Sequence, residues 1–220
     1  MRDPIWKRRH FNVACAVLAL WGLGGVAVAQ SAPAQKVVLV LGDSLSAEYG
    51  LKRGSGWVAL LERRLAEQKS SYRVVNASIS GDTTSGGRSR LPALLSQHKP
   101  AVVIIELGGN DALRGLPLEM TEQNLLAMAQ ASRKAGARVL IAGMQVPPNY
   151  GTAYSQRFAQ SFVQVAQAEK AALVPFLLKD VADTKDPLAL FQADRIHPNE
   201  QAQPVLLANV WPVLSSLLKP

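Results

Sequence analysis

The chain of 220 residues is 48% hydrophobic and 18% charged, a composition typical of a globular protein rather than of a disordered or fibrous one. This length suits one domain with a sizeable core. The formal net charge is +8, but the first 29 residues hold four Arg/Lys and one Asp, which leaves the rest of the chain at +5. No Lys/Arg tract with interleaved aromatic residues indicates a nucleic-acid partner.

The first 29 residues have the pattern of a secretory signal peptide. A basic segment at 7–10 precedes the apolar run 11–28, and Ala27-Val28-Ala29 forms a small-x-small cleavage pattern before Gln30. We expect cleavage there, export to the periplasm or the medium, and no membrane span afterwards. The alternative is an uncleaved anchor, since the apolar run is nearly long enough to cross a bilayer. The only cysteine, Cys15, lies in this segment, so no disulfide is expected in the mature chain.

After a flexible lead-in at 30–35, strand-like and helix-like segments alternate, and residues 36–220 are expected to form one domain. Strands are predicted at 36–41, 72–77, 101–107, 138–143 and 173–178. Helices are predicted at 57–68, 88–98, 121–135, 154–170 and 201–218. Pro175 favours an edge position for the fifth strand, and Pro212 is expected to kink or shorten the last helix. This alternation predicts a three-layer α/β/α domain with a doubly wound, flavodoxin-like parallel sheet of five strands.

Polar segments follow the ends of the predicted strands. In order along the chain, they are 42–44, 78–82, 108–111, 144–151 and 194–198. The carboxyl ends of parallel strands meet at one edge of a sheet, and ligands of open α/β sheets bind outside that edge. The sequence therefore predicts one candidate site that these segments share.

Histidine narrows the possible chemistry of this site. Two histidines follow the leader, and His98 precedes the third strand, at the opposite edge. His197 is therefore the candidate base. A serine nucleophile needs a base to remove its proton and a third group to fix the tautomer of that base. Asp194 is three residues before His197 and can supply the third group for the candidate nucleophile, Ser44.

Acyl transfer also needs hydrogen-bond donors aimed at a developing oxyanion. The Ser44 N–H at a helix start, the Gly81 N–H and the Asn110 side-chain amide are the candidates. Each motif alone has another explanation: a Gly-Asp-Ser turn can bind phosphate or cap a helix, and Asp-x-x-His can be half a metal site. A non-catalytic, phosphate-binding flavodoxin-like protein therefore remains an alternative. One plausible histidine and no cysteine are too few for a metal hydrolase, so no metal or cofactor is expected.

Four segments, in order, resemble the four sequence blocks of the GDSL, or SGNH, hydrolase family: GDSLSAEYG (42–50), NASISGDTT (76–84), ELGGNDALRG (106–115) and DRIHP (194–198). RLPALL (90–95) and PNYG (148–151) further resemble its bacterial group of multifunctional thioesterases, lysophospholipases and arylesterases. The resemblance implies a metal-independent hydrolase of carboxylic esters and thioesters that forms an acyl-Ser44 intermediate. It implies Asp194 and His197 as the rest of the triad, and Gly81 and Asn110 beside Ser44 in the oxyanion hole. A phospholipid or carbohydrate O-deacylase is the alternative within the family.

The resemblance also implies a shallow acyl groove beside the serine, bordered by the loops 111–117 and 144–154. Its candidate lining residues, which ordinary loop packing would also explain, are Asp111, Leu113, Leu116, Met144, Val146, Pro147 and Tyr150. The expected substrate is a small acyl ester or lipid, and the expected protein is a monomer or weak dimer. Relatives often have glycine where this chain has Arg195. One interpretation is that the Arg195 side chain points into solvent. The other is that its positive charge favours anionic substrates or stabilises the ionised form of Asp194.

Overall fold

Short runs of β-branched and aliphatic residues form the centre of this fold, where they are buried on both faces. The computed structural model describes residues 35–186 and 188–219, so the predicted signal peptide (1–29) and the lead-in up to residue 34 lie outside the described residues. One parallel sheet contains β1 (Lys36–Gly42), β2 (Tyr72–Asn76), β3 (Val102–Glu106), β4 (Arg138–Ala142) and β5 (Ala172–Val174). Its order, β2-β1-β3-β4-β5, is the flavodoxin-like order and confirms the predicted sheet.

Helices cover both faces of the sheet. Within the described residues they are α1 (Trp57–Glu67), α2 (Thr84–His98), α3 (Gly109–Leu113), α4 (Leu118–Lys134), α5 (Thr152–Ala168) and α6 (Gln203–Leu217). Helix α1 packs against α6, while α4 packs against both α2 and α5, which completes the predicted three layers. None of these helices has the length and apolar character needed to cross a membrane.

Helix α2 begins four residues before its predicted start. The Thr83 side chain caps it by accepting a hydrogen bond from the Gly86 N–H at 3.3 Å. Glycine is a poor helix former, and this first turn contains the pair Gly86-Gly87. Packing explains the second glycine, because a Cβ at Gly87 would lie 2.2 Å from Leu107 Cδ1. The helix can lie this close to the sheet only where a side chain is missing.

Two other boundaries differ from the prediction. Strand β5 lies at the sheet edge as expected, but it ends at Val174, before Pro175, because proline has no N–H for the ladder. Helix α6 is not shortened at Pro212 and continues to Leu217. Its residues Leu206, Val210 and Leu214 recur every four positions and are fully buried. Burial of this stripe outweighs the one backbone hydrogen bond that the proline removes.

Candidate active site

The candidate site lies where the chain reverses direction across the sheet. Strands β1 and β3 are neighbours, and their register places Gly42 beside Glu106. The chain proceeds from β1 to one edge of the sheet and from β3 to the other. The segments that follow these strands therefore leave the carboxyl edge side by side, at the switch point where open α/β sheets bind ligands.

The three predicted catalytic side chains form a continuous hydrogen-bonded chain. His197 Nε2 lies 2.9 Å from Ser44 Oγ, and His197 Nδ1 lies 2.6 Å from Asp194 Oδ2. Asp194 and His197 belong to a loop between β5 and α6, 150 or more residues from Ser44, so folding alone brings these groups together. A hydroxyl, an imidazole and a carboxylate in this order can activate the hydroxyl as a nucleophile.

Asp194 is held as an anion by its own loop. Burial alone would raise its pKa, but the Ile196 N–H and the ring and backbone N–H groups of His197 donate to the carboxylate, and the pKa is lowered to about 2. The carboxylate therefore stays ionised at any ordinary working pH. It can keep the proton of His197 on Nδ1, which leaves Nε2 free to accept one from Ser44.

Asn110 connects the loops that carry the other two predicted oxyanion donors. It lies in the first turn of α3, a short helix that is not among the predicted helices. Its Nδ2 donates to Asp43 Oδ2 and to the Asp82 carbonyl, both at 3.0 Å. Asp43 precedes Ser44 and Asp82 follows Gly81, so the amide lies between the two loops. Gly81 has a φ of +79°, a conformation that favours glycine.

Two buried carboxyl groups near Ser44 have no role in the sequence-based prediction. Asp43 is 2% exposed and Glu106 is fully buried. Burial raises the pKa of Asp43 to about 6, and burial together with the charge of Asp43 raises the pKa of Glu106 well above its ordinary value. A signal was available in the sequence, because Glu106 is the one charged residue within the apolar run AVVIIEL.

Tyr49 and Gln192 also contact the site without having been predicted. The Tyr49 ring lies against the His197 ring, with centroids 4.4 Å apart and planes at 39°. The Gln192 backbone N–H donates to the His197 carbonyl at 2.8 Å, and its side-chain amide donates to the Tyr49 carbonyl at 2.9 Å. These contacts fasten the loop that carries His197 to the loop that carries Ser44.

One predicted groove residue is placed elsewhere. Asp111 is fully buried, and its carboxylate accepts hydrogen bonds from the Thr84 N–H and hydroxyl and from the Thr121 hydroxyl. It holds α2, α3 and α4 together and is not available to line a groove. The groove role of the other six residues stays a prediction: Leu113 and Pro147 are exposed, Leu116, Val146 and Tyr150 are half-buried, and Met144 is buried.

Replacement of Arg195 by glycine is expected to raise the free energy of unfolding by up to about 1 kcal/mol. Arg195 has a φ of 60°, which costs a residue with a Cβ roughly 1–2 kcal/mol. The greater freedom of glycine in the unfolded chain cancels about 0.5–1 kcal/mol of that gain. Urea unfolding of both proteins measures the difference, and a less stable Arg195→Gly variant would contradict the expectation. Arg195 is not among the groups that lower the pKa of Asp194.

Among residues 35–186 and 188–219, no three His, Cys, Asp or Glu side chains are grouped so that they could hold a metal ion. The groups that do converge are a hydroxyl, an imidazole, a carboxylate and amide donors. Together they can take a proton from the hydroxyl and stabilise negative charge on an oxygen beside it.

Comparison with known proteins identifies relatives of the whole fold. A model of the GDSL-like Lipase/Acylhydrolase family matches residues 40–203. The chain is 54% identical to Esterase TesA of Pseudomonas aeruginosa over 203 residues, which are 92% of this chain and 99% of that protein. It is 42% identical to Thioesterase 1/protease 1/lysophospholipase L1 of Escherichia coli K12 over 80% of this chain and 81% of the relative. The crystal structure of the psychrotrophic esterase EstA from Pseudoalteromonas sp., inhibited by monoethylphosphonate, matches with a TM-score of 0.77 and 41% identity over 84% of this chain and 99% of EstA.

Proposed function

The chain belongs to the GDSL-like lipase/acylhydrolase family and is a hydrolase of carboxylic esters and thioesters, and we propose that it cleaves them through an acyl intermediate on Ser44. The observation that carries the proposal is the chain of contacts from Asp194 through His197 to Ser44, at 2.6 and 2.9 Å. A phosphate-binding protein of the same shape would have no use for a base aligned on the serine.

In the acylation step, Ser44 Oγ forms a bond to the acyl carbon while its proton passes to His197 Nε2. The carbonyl oxygen becomes an oxyanion, which the N–H groups of Ser44 and Gly81 and the Asn110 amide stabilise. The C–O or C–S bond to the leaving group then breaks. The leaving group takes the proton from His197, which leaves the acyl group on Ser44.

In the deacylation step, water replaces the leaving group. His197 Nε2 takes one proton from the water as its oxygen bonds to the acyl carbon, and a second oxyanion forms in the same place. The bond to Ser44 Oγ then breaks, and Oγ recovers the proton from His197. Throughout both steps the Asp194 carboxylate orients His197 and stabilises its protonated form.

Covalent labelling by a fluorophosphonate tests this proposal. The phosphorus centre reacts with an activated serine, and the esterase EstA, to which this chain is similar, was crystallised inhibited by a phosphonate. We expect one equivalent of label on the wild type and none on Ser44→Ala. Ser80→Ala is the matched control, since Ser80 is an exposed serine on the neighbouring loop, and it should label fully. A wild type that stays unlabelled, or a Ser44→Ala variant that is labelled, would refute the proposal.

Export is a second part of the proposed function, supported by the basic, apolar and small-residue segments of the first 29 residues. The substrate would then be an acyl ester or lipid outside the cytoplasm, and the enzyme would work there as a monomer or weak dimer. N-terminal sequencing of protein recovered from the periplasm or medium should begin at Gln30. Recovery of the full-length chain in the membrane fraction would instead favour an uncleaved anchor.

A further inference from the structure

A buried carboxyl group lies directly against the turn that carries Ser44. Glu106, the last residue of β3, is fully buried. Its Oε2 accepts a hydrogen bond from the Asp43 N–H at 3.2 Å and another from the Ser46 hydroxyl at 2.7 Å. These two donors lie on either side of Ser44 in the sequence. One carboxyl oxygen therefore ties both ends of the turn to the end of a central strand.

Ser46 also links the turn to the hydrophobic core. Its hydroxyl, which donates to Glu106, also accepts a hydrogen bond from Trp57 Nε1 at 3.2 Å. Trp57 is fully buried, and its backbone N–H donates to Gln203 Oε1 at 3.0 Å. The turn is thus anchored to β3, to the start of α1 and, through Gln203, to the start of α6.

The backbone at Gly42, just before the turn, lies too close to Glu106 to leave room for a side chain. A Cβ added at Gly42 would lie 2.7 Å from Glu106 Oε2, 2.8 Å from Ser78 Oγ and 2.9 Å from Ser46 Cβ. The backbone before Ser44 therefore packs directly on the carboxyl group. A change in the volume or hydrogen bonding of Glu106 should therefore displace the turn, because a close-packed interior transmits displacement.

We propose that Glu106 is a positioning residue for the reaction, which holds the turn 43–46 so that Ser44 Oγ stays aligned with His197 Nε2. The inference rests on the proposed role of Ser44. Glu106 needs no charge for this task, because an amide oxygen can accept the same two hydrogen bonds as a carboxyl oxygen. Its other oxygen, Oε1, has no hydrogen-bond partner within the described residues, which disfavours the ionised form.

Three substitutions test the proposal. Glu106→Gln keeps the accepting oxygen, so its kcat should stay within about threefold of the wild type. This change is smaller than the fall in kcat expected from the loss of one hydrogen bond. Glu106→Leu removes the acceptor, and kcat should fall about 10²-fold, the cost of a misplaced reacting group, with KM nearly unchanged. Ser46→Ala removes one of the two donors and should lower kcat about fivefold.

Ser132→Ala is the matched control for lost stability. Ser132 is fully buried in α4, and its hydroxyl donates to the Met128 carbonyl of the same helix at 2.8 Å. This variant should lose stability without losing kcat. The rate of fluorophosphonate labelling separates the inference from the proposed function: Glu106→Leu should label slowly but still reach one equivalent, whereas an unlabelled wild type would refute the role of Ser44 itself.

The pH dependence of stability gives a second readout. The pKa of Glu106 is raised on folding, so the folded state binds its proton more tightly and stability falls as the pH rises above about 4.5. Glu106→Gln lacks this loss, so its stability relative to the wild type should grow as the pH rises above about 4.5. The charge that raises the pKa of Glu106 is that of Asp43, on the turn, and the Arg90 guanidinium donates to the carbonyl of Gly42, which pairs with Glu106 in the sheet register. Both are unchanged in the variant.

Two outcomes would overturn the inference. A folded Glu106→Leu variant with the kcat of the wild type would show that the turn does not depend on this residue. A Glu106→Gln variant as slow as Glu106→Leu would show that the charge, rather than the accepting oxygen, is required. If Glu106→Leu does not fold, the kcat of Ser46→Ala becomes the test. A Ser46→Ala variant with the kcat of the wild type would then overturn the inference.

Discussion

Alanine in place of Ser44 or His197 is expected to lower kcat by about 10⁴- to 10⁶-fold, and the double replacement is expected to lower it no further. The reason is that the two side chains act as one unit across the 2.9 Å contact between Oγ and Nε2. Without the imidazole the hydroxyl keeps its proton, and without the hydroxyl the imidazole has no nucleophile to activate. Saturation kinetics with a p-nitrophenyl ester measure the three variants against the wild type.

The chain offers its own controls for this prediction. His98, the last residue of α2, lies at the amino edge of the sheet, and Ser80 is exposed on a neighbouring loop. His98→Ala and Ser80→Ala should keep the kcat of the wild type. Losses in Ser44→Ala and His197→Ala that multiply in the double variant would contradict the prediction, because they would mean that the residues act independently.

The second largest effect is expected at Asn110. Its replacement by alanine should lower kcat about 10²- to 10³-fold and leave KM nearly unchanged, because the oxyanion that it stabilises is absent from the bound substrate and develops only on the way to the tetrahedral intermediate. In the free enzyme both hydrogens of its amide are already used, by Asp43 Oδ2 and the Asp82 carbonyl. An oxyanion must therefore share one of these hydrogens with its present acceptor or displace that acceptor.

Asn124→Ala is the control that separates this effect from a loss of structure. Asn124 is a buried asparagine of α4, whose amide donates to the Thr84 hydroxyl and whose carbonyl accepts from Arg88. Its loss should lower stability and spare kcat. If Asn110→Ala changes KM as much as kcat, or behaves like Asn124→Ala, its amide does not stabilise the transition state.

Much of the fold follows from the sequence because its central strands carry an unambiguous pattern. Runs such as KVVLVL and AVVIIEL are too apolar for a half-exposed strand, and their alternation with helical segments predicts the parallel sheet that is observed. The rule that ligands bind at the carboxyl edge then selects His197 over His98. The contacts of Ser44, His197 and Asp194 lie at that edge.

The sequence does not show in the same way which carboxyl side chains are buried and which line the site. Glu106 ends a strand at the functional edge, and Asp43 and Asp111 follow strands there, where a side chain can face solvent, substrate or core. Their burial depends on partners far away in the sequence: Glu106 contacts a turn 60 or more residues earlier, and Asp111 contacts Thr84, 27 residues earlier. Asp111 was therefore assigned to the groove although it holds three helices together. The contact between Tyr49 and His197 could not be predicted for the same reason, because the two residues are far apart in the sequence.

The most direct test of Ser44 as the nucleophile is to trap its acyl intermediate. The enzyme is mixed with a p-nitrophenyl ester, quenched in acid within the first turnover, and analysed by intact mass and peptide mapping. We expect a mass increase equal to one acyl group, located on the peptide that contains Ser44, and no increase in Ser44→Ala. An acyl group on another residue, or turnover by a wild type whose mass never changes, would contradict the proposed mechanism.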